Sequence, residues 1–109
     1  MRALVLAVSF LCVNAHAQFK DGNRLLSDFG HSSHVVPAIG LGYVMGVLDA
    51  YNGVVFCAPD NMTAGQARDI VQNYLNNTPS VRHFPASEII SHVFKTMWPC
   101  ANNRRGAGV

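Results

Sequence analysis

Gly40-Leu41-Gly42-Tyr43-Val44-Met45-Gly46-Val47-Leu48-Asp49-Ala50-Tyr51-Asn52-Gly53-Val54-Val55-Phe56-Cys57 reads as one helix ending beside a cysteine. Ile39, Tyr43, Val47 and Ala50 fall on one stripe, and Leu41, Val44, Leu48, Tyr51 and Val55 on another. A helix that is apolar over most of its circumference belongs at the centre of a domain, so this stretch is expected to be mostly buried. Gly42 and Gly46, four apart, mark a face that a neighbouring backbone can approach closely, at a cost in helix propensity. Asp49 alone interrupts the apolar run. Its expected role is a carboxylate at the helix edge, hydrogen-bonded to backbone or to Tyr and Asn side chains.

Upstream, residues 1–17 read as a secretory signal peptide. Arg2 is the positive start, Ala3 to Val13 the apolar core, and Ala15-His16-Ala17 the small-x-small cleavage site. Such a run is too short to span a bilayer. Removing 17 of the 109 residues leaves 92, enough for one domain, 18–100, with a modest core. The cut also removes Cys12 and leaves Cys57 and Cys100. Two cysteines in an exported protein favour one disulfide over two free thiols. It would close a loop of 44 residues, 57 to 100 inclusive, worth about 4 kcal/mol on a chain-entropy account. Without Arg2 the charged residues are seven basic and six acidic, with no basic stripe, which gives nucleic-acid binding no support. Val35 to Cys57 contains Pro37, Asp49, Asn52 and several glycines, a poor content for a membrane span.

Four helices are expected, an all-α, four-helix bundle-like domain with one disulfide. Gln18 to Asn23 reads as loose chain. Asp21 or Asn23 can cap a short helix with Leu25, Leu26 and Phe29 on one face and Arg24 and Asp28 on the other as a weak surface pair. Pro37 suits the first turn of the central helix. Thr63-x-x-Gln66 is a capping box, followed by the stripe Ala67, Ile70, Val71, Tyr74 and Leu75, and Pro79 ends that helix. Pro85 opens the last helix, whose buried stripe is Ile89, Ile90, Val93, Phe94 and Met97, with Glu88, His92 and Lys95 outside. Residues 101–109 have no apolar pattern and are expected to be a disordered tail.

No catalytic constellation stands out. The single Glu and five Asp pair on no helix face. His31 and His34 lack a third ligand nearby and read as solvated connector residues, so no metal and no cofactor are expected. Gly40-x-Gly42 follows no strand and is not a dinucleotide fingerprint. No enzymatic activity is expected.

Several pieces in order resemble a known family. They are Gly42-Tyr43-x-x-Gly46-x-x-Asp49-Ala50, Phe56-Cys57-x-Pro59, Thr63-x-x-Gln66, Tyr74-Leu75 with Pro79, and Trp98-Pro99-Cys100. This set is similar to the Rap/Tai family of periplasmic immunity proteins, which protect bacteria against type VI secretion amidase effectors. The resemblance implies a helical fold, a periplasmic location, a Cys57–Cys100 disulfide, a homodimer, and inhibition of a peptidoglycan amidase by blocking its cleft. Gly42, Tyr43, Gly46, Asp49, Gln66 and Pro99 then read as scaffold signature. Members often carry a second cysteine pair, which is absent here from 25–29 and 38–41. For effector contact the connection 76–83 fits best, with Asn76, Asn77, Ser80, Arg82 and His83 as candidates around Pro79. The alternative reading is a small periplasmic chaperone of the acid-stress type, which would need clustered carboxylates that this chain lacks.

Overall fold

Asp21 begins the helical part of the chain by accepting a 2.8 Å hydrogen bond from the Arg24 backbone N–H. A computed structural model describes residues 19–101, so the expected signal peptide and almost all of the expected tail lie outside the described residues. Four α-helices follow: α1 (Gly22–Phe29), α2 (Val35–Tyr51), α3 (Ala64–Asn77) and α4 (Ala86–Met97), with a 3-10 turn at Pro79–Val81. There is no strand among the described residues.

Local chemistry accounts for the helix ends. The Thr63 hydroxyl accepts from the Gln66 N–H at 3.1 Å, and the Gln66 side chain accepts from the Thr63 N–H at 2.9 Å, which completes the capping box. Asn52 caps the end of α2, and its amide oxygen accepts from the Ala58 N–H at 3.0 Å, closing the turn that follows. Gly53 in that turn sits at φ +85°, a conformation that favours glycine.

Helix α2 packs against α1, α3 and α4. The core joins Leu25 of α1, Val44 and Leu48 of α2, Val71 and Leu75 of α3, and Ile90 and Phe94 of α4 around Phe56. Each such side chain is worth about 1.5–3 kcal/mol in burial. Phe56 lies 5.3 Å from Phe94, ring to ring, and Phe94 stacks on Trp98 at 5.5 Å. Beside this aromatic column Cys57 and Cys100 form a disulfide, with Cα atoms 4.8 Å apart. Cys57 N–H also donates to the Trp98 carbonyl at 2.9 Å, so the loop after α2 is fixed to the end of α4 twice.

Four expectations are corrected. First, α2 is not buried all round: Gly40, Val44, Val47 and Leu48 are buried, whereas Val35 and Ile39 are 67% and 56% exposed. The other three helices cover one side of it and leave the other open. A Cβ at Gly42 or Gly46 would meet nothing within 4 Å. Asp49 lies on the exposed side, and among the described residues its carboxylate accepts no hydrogen bond from backbone, Tyr or Asn. Second, the chain before α1 is not loose. Ala86 N–H donates to the Lys20 carbonyl at 2.8 Å, and Asp21 pairs antiparallel with Pro85. Third, Asp28 is buried, 6% exposed, and its main partner is the Lys20 ammonium, with Arg24 a longer 3.6 Å contact. A buried carboxylate requires such a partner. Fourth, Met97 is half-exposed because α4 runs out past the core at its last turn.

Candidate functional site

The segment from Asn76 to Phe84 is held from both sides. From within, Val81 N–H donates to Thr78, Arg82 N–H to Pro79 and Phe84 N–H to Val81, at 3.0–3.3 Å. From below, the start of α1 reaches it: Gly22 N–H donates to the Phe84 carbonyl at 3.1 Å and Asn23 N–H to the Arg82 carbonyl at 2.9 Å. Gly22 makes this approach feasible, since a Cβ there would lie 2.9 Å from the Arg82 carbonyl oxygen and 2.6 Å from Ile89 Cδ1. The guanidinium of Arg82 then turns back onto the end of α3. Its Nε donates to the Leu75 carbonyl at 2.6 Å and its Nη2 to the Asn76 carbonyl at 3.0 Å. A cation on the last carbonyls of a helix satisfies acceptors that have no intrahelical donor and meets the negative end of the dipole.

The candidate residues therefore divide. Asn76, Asn77, Ser80 and His83 are exposed along one edge, with the His83 ring 4.3 Å from that of Phe84. Arg82 is half-buried and holds the shape of the segment from inside. The residues read as signature lie elsewhere. Gly42, Gly46 and Asp49 are on the open side of α2, Gln66 closes the cap of α3, and Pro99 follows α4 beside the disulfide. Tyr43 is half-buried beneath the Lys20 ammonium, 5.7 Å from its ring centre, so Lys20 is shared between Asp28 and this ring.

Sequence reasoning missed a groove of about 290 Å³ beside the turn, lined by Tyr74, Val81, Phe84, Glu88, Ile89 and His92. Tyr74 and His92 face each other across 6.2 Å. Its floor is apolar and its rim carries one carboxylate and one imidazole. Glu88 and His92, four apart on α4, were the available signal, together with Phe84 as an aromatic in an otherwise polar connector. Among the described residues no three His, Cys, Asp or Glu side chains gather as a metal site would need, and no helix is long and apolar enough to cross a membrane.

A stiff edge with a groove at its side suits a protein that presents a preformed surface to a partner. Residues 21–100 match the family model of the Rap1a immunity proteins, and the chain belongs to that family. Membership implies an immunity protein that binds a partner effector. None of the curated proteins compared with the chain matches it.

Proposed function

We propose that this protein is a periplasmic inhibitor of a peptidoglycan amidase delivered by type VI secretion, and that the Asn76–Phe84 edge enters the enzyme's cleft. The observation that carries this reading is the bracing of the edge by Arg82 and by the start of α1. A loop already ordered in the free protein loses little conformational freedom on binding, which favours tight inhibition. Asn77, Ser80 and His83 contact the enzyme, and the adjoining groove receives an apolar side chain from the cleft's rim. The signal-peptide pattern at 1–17 supports the location. The test is co-expression with candidate type VI peptidoglycan amidases, followed by affinity purification of the tagged protein from the periplasm. A stoichiometric amidase complex is expected, and recovery of the protein alone in every pairing would reject the reading.

The open side of α2 supports a second element of the proposal, a homodimer. Val35 and Ile39 are large and exposed, and Gly42 and Gly46 on the same stripe leave room for another helix to approach. An apolar face on a two-fold axis meets its own copy, so the patch needs no other complement.

A further inference from the structure

A second groove, of about 430 Å³, shares no residue with the first. It lies between the loop after Cys57, the outer side of α3 and Trp98. Trp98 is half-buried, and one face of its indole is backed by the fully buried Phe94, with ring planes 16° from parallel. The face turned away from Phe94 is the one that can meet a ligand. Gln66, Asp69 and Asn73 border the same groove from α3, at spacings of three and four that align them on one ridge. Asn61 adds a further amide, and Met62 supplies C–H surface between the polar groups.

These groups have hydrogen-bonding capacity to spare. Asn61 and Asn73 make no side-chain hydrogen bond among the described residues. Gln66 uses only its oxygen in the cap, which leaves its amide N–H groups free. Both Arg68 contacts go to Asp69 Oδ1, at 3.1 and 2.8 Å, leaving Oδ2 open. That same pairing neutralises the groove's one carboxylate, and no lining residue is cationic. The site therefore attracts neither an anion nor a strong cation. A flat aromatic opposite a row of amides and a carboxylate oxygen matches a ligand with an apolar C–H face and a rim of hydroxyls. The volume falls within the range of small-molecule sites. We propose that this groove binds a neutral pyranose oligosaccharide, with one ring stacked on Trp98 and its hydroxyls held by Asn61, Asp69 and Asn73.

Trp98 is the only tryptophan of the chain, so tryptophan emission, excited where tyrosine does not absorb, reports on this groove. The experiment titrates the full-length mature protein with chitotriose, with cellotriose as a second arm. A saturable change in emission is expected, half-complete near about 1 mM, the affinity of a few hydrogen bonds and one stacked ring. Asn73→Ala and Asp69→Asn, both on an exposed helix surface, should each weaken binding by about three- to tenfold. Circular dichroism would verify their fold, and Ser27→Ala, on the exposed surface of α1, should bind like the parent. A stronger response to chitotriose assigns an acetamido sugar, and equal responses assign an unsubstituted pyranose. No saturable change with either sugar up to ~20 mM, about twentyfold above the expected half-point, would overturn the proposal. So would a response unaltered in both groove variants. The inhibitor reading stands or falls separately, because it rests on the edge and groove around Phe84.

Discussion

Asp28 and Arg82 are the two residues whose charges shape the domain from inside. Asp28→Asn would leave the Lys20 ammonium in a site where its side chain is only 15% exposed, without its ionic partner. A loss of about 3 kcal/mol is expected, read as a lower midpoint in urea unfolding, and a change below about 0.5 kcal/mol would contradict the assigned role. Sequence spacing had placed Arg24 and Asp28 on the solvent side because they are four apart on a short helix. The partner that decides otherwise, Lys20, precedes the helix and reaches Asp28 only because the preceding chain is pinned to the start of α4. Arg82 was equally legible as a loop cation, whereas its hydrogen bonds to the end of α3 were not. Its effect on a partner should be indirect. Arg82→Ala is expected to cost about 1–2 kcal/mol of stability by freeing two α3 carbonyls, and to slow association with the effector more than it speeds dissociation. Binding kinetics by surface plasmon resonance would separate the two rates.

At the scale of elements, helix identity and several ends were readable from local chemistry. Asp21, the Thr63–Gln66 box and Pro85 each act within a few residues of their position, and such signals survive folding unchanged. The orientation of α2 was not readable. Its residues are apolar on every side, so periodicity carries no information about which side meets the core. Only the placement of the other helices settles it, and they leave Val35, Ile39, Gly42 and Gly46 uncovered. Ile39→Asp tests what covers that face. Because Ile39 is 56% exposed, the monomer fold should persist, while sedimentation should shift from dimer to monomer. A parent protein that sediments as a monomer at high micromolar concentration would remove the dimer from the account. Gly22→Ala probes the contact between α1 and the edge at 76–84. The Arg82 carbonyl, a backbone atom 2.9 Å from the added methyl, cannot rotate away, so destabilisation of about 1–3 kcal/mol is expected by thermal unfolding.

For the whole molecule, the disulfide ties the loop after α2 to the end of α4 and closes the aromatic column of Phe56, Phe94 and Trp98. The cysteine pair was legible from the count alone once export was assumed, whereas the two grooves were not. Each draws its walls from three segments of chain, and no spacing in the sequence brings Tyr74, Phe84 and His92, or Met62, Asn73 and Trp98, together. In the proposed function the braced edge at 76–84 blocks an amidase. Hydrolysis of purified peptidoglycan by a type VI amidase that co-purifies with this protein would be titrated with the parent and with the Asn77→Ala/Ser80→Ala/His83→Ala variant. Those three side chains are exposed, so the variant should fold normally. Complete inhibition is expected at one equivalent of the parent, and at least about a hundredfold weaker inhibition by the variant, the loss of roughly 3 kcal/mol of contact. Full amidase activity in the presence of excess parent protein, or equal inhibition by the variant, would contradict it.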